Sequence, residues 1–411
     1  MAGTQHGAAA VTGLGLVTAA GSDAKQTWSE ITSGSAPRGV RTLEGLQGLP
    51  CDFMYTVEGL DLEAELGRAT LLMDRFAQLA VVAARQAVAD AGLDPATWDN
   101  SRVAVVVGTA HGGLHFYDQQ QAVLDQRGPR KVSPKVAPLS VNNNAAGSVC
   151  QDLGARGPSL AVSTACASGT DAIGTALGWL RAGRCDIAVA GGAEALRSRL
   201  LFASTCRMRA LSTRMDDPAA ACRPFDVARD GFVVGEGAGM LVLERPEHAR
   251  ARGATVRACL AGYGSSNDAF SPVASDEEGA GIERALRAAL ADAGAAATDI
   301  GHINAHGTST VMNDLVESAA LYRVFGDRPL VTSTKAMTGH ALGAAGGIEA
   351  ALTVLALEEQ LIPPTVNLDV QDPRVPVEVV AKTARPAQLE CAASSSLGFG
   401  GHNAVLVLTR P

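Results

Sequence analysis

Aromatic residues make up only 4 % of this 411-residue chain. Its core must therefore be filled by aliphatic and small side chains. The 45 glycines allow backbones to approach closely, and sharp turns and tightly packed helices and sheets follow. Charged residues are also scarce, at 18 %, against 47 % hydrophobic. That balance excludes intrinsic disorder over most of the length. Positive charge is in deficit: 34 Lys+Arg against 42 Asp+Glu, a net charge of −8. A general nucleic-acid binder needs a basic face and is excluded, whereas a small basic patch for an acidic protein partner is not. No run reaches the ~18 apolar residues of a membrane span. No Lys or Arg precedes Lys25, so the positive n-region of a signal peptide is missing, and a cytoplasmic location is expected. The eight cysteines are scattered and form no C-x-x-C pair, which argues against a disulfide framework or a zinc cluster.

Short β-rich runs alternate with helical patterns. Strands are expected at Ala9–Val17, Val103–Val107, Leu160–Ser163, Ile187–Ala190 and Gly239–Leu243, then at Ala258–Tyr263, His302–Ala305, Leu330–Ser333 and Asn403–Leu408. Helical spacing of apolar residues runs over Ala69–Ala91 and Ile282–Ala293, each stopped by glycine. This alternation predicts an α/β protein. One unit occurs twice. Leu160-Ala-Val-Ser-Thr-Ala-Cys-Ala-Ser-Gly and Leu330-Val-Thr-Ser-Thr-Lys-Ala-Met-Thr-Gly each read as strand, Ser-Thr corner and helix start, leading into Asp171–Ala182 and Gly347–Gln360. The chain is therefore expected to divide into halves, 1–255 and 256–411, sharing one body. The stretch His111–Asn144 has no clear period and reads as an irregular cap or interface insertion.

Three places carry candidate chemistry. In Ser163-Thr-Ala-Cys-Ala-Ser-Gly169, Cys166 follows a strand and opens a helix, where free N–H groups and the helix dipole favour the thiolate. A lone cysteine is otherwise a small buried hydrophobe. His306 lies just after a strand in Asn304-Ala-His-Gly-Thr-Ser-Thr310, and His340 and Lys335 lie on the corner that mirrors that of Cys166. Ligands bind at the carboxyl ends of strands in α/β folds, so two such histidines in a chain with eight are a site signal. A metal site would need a third ligand beside them, and no helical H-x-x-x-H supplies it, so none is expected.

With these residues in place, the chain resembles the condensing-enzyme family of β-ketoacyl-acyl carrier protein synthases, in particular the elongating class II type that includes the type II polyketide ketosynthases. The matching stretches are Ser163–Gly169, Arg223–Gly239, Ala305–Thr310, Lys335–Gly343 and Gly398–Gly401, in the family's order. The resemblance implies a thiolase-like fold, two βαβαβαββ halves in five α-β-α-β-α layers. It implies a decarboxylative Claisen condensation on Cys166, with the N–H groups of Cys166 and Phe399 as oxyanion donors. His306 and His340 would stabilise the enolate, and Lys335 would orient the site with Glu349 as its charge partner. Thr308 and Thr310 would hold the pantetheine arm, and the Phe399 ring would act as a gate. No metal or organic cofactor is implied, since substrates ride on the phosphopantetheine of an acyl carrier protein. The active form is expected to be a homodimer, or a heterodimer with a cysteine-less chain-length factor. Carrier docking is expected at Arg130, Lys131 and Arg209, with Arg214 nearby. A noncatalytic scaffold subunit is the alternative of another class, and intact Cys166, His306, His340 and Lys335 argue against it.

Four features depart from the family pattern. Val311 stands where proline is frequent, and Leu397 where phenylalanine is common. His111 replaces an apolar residue near the acyl tunnel, and Asn142–Gly147 is unusually polar. Acyl length, unsaturation and pathway stay open at this point.

Overall fold

The computed structural model describes residues 7–274 and 276–411. Ten strands form its main sheet. The first five are β1 (Ala9–Val17), β2 (Val103–Gly108), β3 (Ser159–Val162), β4 (Ile187–Glu194) and β5 (Gly237–Glu244). The second five are β6 (Ala258–Asn267), β7 (Ile300–Asn304), β8 (Leu330–Thr332), β9 (Cys391–Gly398) and β10 (His402–Thr409). Their spatial order is β8-β7-β9-β10-β6-β1-β5-β4-β2-β3. Read inward from either edge, the two halves have the same order, each strand of one matching the strand five places later in the other. The pairing repeats too. β2 is parallel to β3 and β4, as β7 is to β8 and β9, and the remaining neighbours are antiparallel. The halves join where Ala9–Val11 of β1 pairs with Ala258–Leu260 of β6.

Side-chain alternation along the strands separates the layers. On β2, Ala104 and Val106 face a middle layer, while Val103, Val105 and Val107 face an outer one. On β10, Leu406 and Leu408 face the middle, and Val405 and Val407 the opposite outer layer. The middle layer holds α3 (Ser168–Arg181) and α6 (Ala345–Glu359). One outer layer holds α1 (Arg75–Asp90) and α2 (Asn143–Leu153), the other α4 (Ala280–Ala293) and α5 (Val311–Phe325). These are the five layers. Fully burying one valine or leucine of this kind is worth about 1.5–3 kcal/mol. α6 is buried on every side from Ala345 to Leu357, as a helix packed between the two halves of the sheet must be. Low aromatic content has its use here: a Cβ on Gly169 of α3 would stand 2.7 Å from Gly347 N of α6, so only glycine lets these helices touch.

Several elements differ from the sequence expectation. The helix expected over Ala69–Ala91 begins at Arg75, because Gly67–Leu72 forms a tighter 3-10 turn. The irregular insertion is helical at Leu114–Arg127 and Val136–Ser140 and enters α2 at Asn143. Leu114–Arg127 buries no residue and so leaves no apolar period to read. β9 and α5 were not anticipated. Strand β9 is Cys-Ala-Ala-Ser-Ser-Ser-Leu-Gly, buried along almost its whole length but poor in branched residues. Helix α5 buries Asp314 and Glu317, which breaks its apolar stripe. Among the described residues, no helix is long and apolar enough to cross a membrane.

Candidate active site

Cys166 sits on the turn between β3 and α3. Ala165 before it adopts a φ of 50°, a left-handed conformation that aims the cysteine away from the strand direction. Ser168 Oγ donates to Ala165 O at 2.6 Å and accepts from Thr164 N at 2.9 Å, which fastens the turn to the start of α3. The side chain is buried, and burial pushes the thiol up to about 12 although Lys335 and the Phe399 N–H pull it down. Burial thus works against the thiolate that the helix start was expected to favour.

His340 follows the one-turn helix Lys335–Thr338, at Gly339 with a φ of 67°. Its N–H donates to Val233 O at 2.7 Å, and Gly235 N donates back to His340 O at 2.9 Å. That ladder holds Nε2 3.1 Å from Cys166 Sγ, although the residues are 174 positions apart. His306 lies beyond the end of β7. Its N–H and that of Gly307 donate to the two oxygens of Glu317, each at 2.8 Å, and Ser395 Oγ donates to the same carboxylate at 2.8 Å. The two imidazoles meet edge to face, centroids 5.1 Å apart, and Phe232 packs edge-on to His340 at 5.2 Å. Burial first, then the charge of Lys335, holds both histidines well below their ordinary pKa, so both are neutral at pH 7. Among the described residues, neither Nδ1 has a hydrogen-bond partner, so the surroundings fix neither tautomer.

Lys335 is fully buried and its Nζ is hydrogen-bonded to Glu349 Oε1 on α6. Burial pushes the Glu349 carboxyl up to about 7 against the pull of that ammonium. A second buried carboxylate, Glu194 at the end of β4, accepts from Thr109 Oγ, Ala110 N and His111 N at 3.2, 2.6 and 3.3 Å. Burial pushes it too up to about 7.

A cavity of about 430 Å³ runs from the surface to these groups, lined by Cys166, His306, His340, Thr308, Thr310 and Phe399. Val311 and Leu397, two of the departures, also line it. Thr308 and Thr310 hydroxyls lie 3.0 Å apart on its wall. Phe399 is 43 % exposed and rides on the Gly398–Gly401 turn between β9 and β10, where Gly400 and Gly401 take φ of 83° and 75°. A Cβ on Gly398 just before it would stand 3.1 Å from Cys166 N, so this turn lies against the cysteine. The fold thus brings together Cys166, His306, His340, Lys335, Glu349, Phe399, Thr308 and Thr310. His111 is not among the residues lining this cavity; it sits beyond β2 with its backbone on Glu194. Arg209 is exposed at the mouth, beside Asp230 and Glu277, so charge there is mixed. Arg130 and Lys131 are exposed on the single turn Pro129–Lys131, away from the lining. Glu317, Glu194 and Phe232 escaped the sequence reading. The signal that could have found the two glutamates was an acidic residue inside an otherwise apolar run, in α5 and at the end of β4.

The third ligand that the sequence did not supply beside two histidines is present in space. The Cys166 sulfur and a nitrogen of each imidazole lie within 4.8 Å of one another, a donor set suited to a soft divalent ion.

Residues 8–249 match the model described as beta-ketoacyl synthase, N-terminal domain, and residues 257–369 match the corresponding C-terminal domain. The 3-oxoacyl-[acyl-carrier-protein] synthase 2 of Staphylococcus aureus (strain COL) is 41 % identical, covering 99 % of both chains. Among solved structures, the ishigamide ketosynthase/chain length factor superposes with a TM-score of 0.92 at 35 % identity, over 99 % of this chain and 100 % of that one. A type II PKS acyl-carrier protein in complex with its ketosynthase bound to the hexaketide gives a TM-score of 0.85 at 32 % identity, over 98 % and 99 %. The chain belongs to the beta-ketoacyl synthase family.

Proposed function

We propose that this chain condenses an acyl thioester with malonyl-acyl carrier protein, using Cys166 as nucleophile and His306 and His340 as enolate stabilisers. The observation that carries this reading is the convergence of one thiol and two neutral imidazoles at the inner end of one open cavity. The nucleophile comes from the half 1–255 and the imidazoles from the half 256–411. In the first step Cys166 sulfur attacks the acyl thioester carbonyl. Its proton leaves on the departing pantetheine thiol. The oxyanion sits at the N–H groups of Cys166 and Phe399. In the second step malonyl thioester loses CO2. The N–H groups of the two imidazoles hold the enolate oxygen, and neutrality lets them donate without first losing a charge. The enolate carbon attacks the Cys166 thioester. The carbon–carbon bond forms, the carbon–sulfur bond breaks, and the thiolate takes up a proton.

Lys335 and Glu349 hold the charge balance behind the site, and Thr308 and Thr310 serve the pantetheine arm. Within this reading the reaction needs no metal or organic cofactor and takes place in the cytoplasm. The partners are an acyl carrier protein, docked at Arg209 with Arg130 and Lys131, and a second subunit. Exposed Leu160 on the sheet's free edge and exposed Leu71, Leu72 and Val141 support an interface there. The likeness to a ketosynthase/chain length factor supports a heterodimer as the second reading. His111 and the polar Asn142–Gly147 segment would then tune the acyl group accepted. Incubation with acyl- and malonyl-acyl carrier protein should yield one CO2 per 3-ketoacyl product. Absence of both product and CO2 would sink the proposal.

A further inference from the structure

The two N–H donors at the Cys166 site come from opposite halves of the molecule. That of Cys166 belongs to the β3–α3 turn, and that of Phe399 to the β9–β10 turn. Two donors serve one developing oxyanion only when both stand about 2.7–3.1 Å from the same point, so their spacing must be fixed across the boundary. The touching point is Thr164. A Cβ on Gly398 would stand 2.6 Å from Thr164 O and 3.1 Å from Cys166 N, so the Phe399 turn rests on this stretch of backbone.

Thr164 is itself held by a strut from the second half. Its hydroxyl donates to Asp171 Oδ2 at 2.5 Å. The other carboxylate oxygen, Oδ1, accepts from Tyr263 OH at 2.6 Å. Tyr263 projects from β6, and its ring crosses α3 at Gly174, where a Cβ would stand 2.4 Å from Cδ2. Helix α3 is therefore notched to let the phenol reach Asp171, three residues earlier on the same face. Asp171 is 9 % exposed, and among the described residues it forms no salt bridge; hydroxyls are its side-chain partners. A carboxylate buried in this way costs folding energy that an apolar side chain would not. Packing alone does not account for it, whereas a two-oxygen acceptor that locks two hydroxyls does.

We propose that Asp171 is a positioning residue for the oxyanion site, the Tyr263–Asp171–Thr164 strut setting the nucleophile turn against the turn that carries Phe399. This rests on the reading of Cys166 as the acylated nucleophile. The strut governs acyl transfer, which needs both donors. It leaves malonyl decarboxylation alone, since the two imidazoles carry that step. It also leaves alkylation of the thiol by iodoacetamide alone, a displacement with no oxyanion.

The test uses Tyr263→Phe, which removes one hydroxyl and no carbon, with Asp171→Asn, Asp171→Ala and the double variant Tyr263→Phe/Asp171→Asn. Acyl transfer from an acyl pantetheine thioester is followed by intact mass, CO2 release from the malonyl thioester in parallel, and alkylation separately. Tyr263→Phe should slow acyl transfer about tenfold or more, short of the 10²–10³ expected for losing a donor outright. CO2 release and alkylation should stay within about twofold. Asp171→Asn should be milder than Asp171→Ala, and the double variant no slower than its worse single, since both act through one strut. Unchanged acyl transfer in Tyr263→Phe, or an equal fall in all three rates, would overturn the proposal. A wild-type protein that takes up no acyl group would instead overturn the functional reading beneath it.

Discussion

Replacing Lys335 by methionine, at similar side-chain length, removes the ammonium whose charge depresses both histidines. Even at about 10 Å and an effective dielectric constant of about 20, a unit charge is worth about 1.7 kcal/mol, or about one pKa unit. His306 and His340 lie below their ordinary value chiefly through burial and secondly through Lys335, so removing the charge lets both rise without restoring them fully. On the proposed reading the active form is the neutral imidazole. In the wild type, decarboxylation should stay flat down to pH values well below the ordinary histidine range. In Lys335→Met its acid limb should move up by about one unit. Stability should fall as well, because Glu349 is left buried without its ammonium. Breaking a buried pair costs about 3–5 kcal/mol, and the low end applies because Glu349, already pushed up to about 7, can take a proton instead. A carboxyl whose folded pKa is raised binds its proton more tightly folded than unfolded. The variant should therefore lose stability as pH rises from about 4.5 through about 7 and beyond. Adding Glu349→Gln should restore much of that stability but not the acid limb. The assays are CO2 release against pH and denaturant melts at pH 5 and 8. An acid limb that stays where it was, or a single variant as stable as the wild type, would refute the reasoning.

Three further outcomes are expected. His306→Ala and His340→Ala should each lower CO2 release by about 10²–10³, the usual loss for one oxyanion-type donor; an unchanged rate would remove that histidine from the site. Arg209→Glu should raise the apparent KM for acyl carrier protein, least at high salt, and leave turnover of a short pantetheine thioester near wild type; equal losses on both would show a structural role. Zinc should inhibit by binding the Cys166, His306 and His340 atoms that lie within 4.8 Å of one another, and chelation should reverse it; a Cys166→Ala protein that binds zinc as tightly would refute that mode.

What the sequence made legible has a physical pattern. Val103–Val107 and Ala9–Val17 announce themselves because branched side chains crowd a strand buried on both faces. The two Ser-Thr corners expose the duplication, and three of the four chemical side chains on them and after β7 proved to meet in space: Cys166, His306 and His340, with Lys335 behind. Their convergence is a matter of topology, since parallel strands β2 to β4 and β7 to β9 point their carboxyl ends at one seam. Strand β9 was hidden because Ser394, Ser395 and Ser396 sit between two helix layers with no room for larger groups. Glu317 was hidden because its work is to hold the backbone of His306 from another element, which no local spacing records. The burial of Cys166 was hidden for a similar reason: helix position is local, whereas burial depends on the whole fold.

The separation of the two half-reactions is tested most directly by Cys166→Ala, assayed for acyl adduct by intact mass and for CO2 release from malonyl-acyl carrier protein. On the proposed reading the sulfur is the only atom that the acyl group bonds, and the enolate rests on the imidazoles. The variant should therefore carry no acyl group and yet release CO2. An acylated Cys166→Ala protein would contradict the nucleophile assignment, and loss of CO2 release in a folded variant would contradict the division of labour between Cys166 and the two histidines.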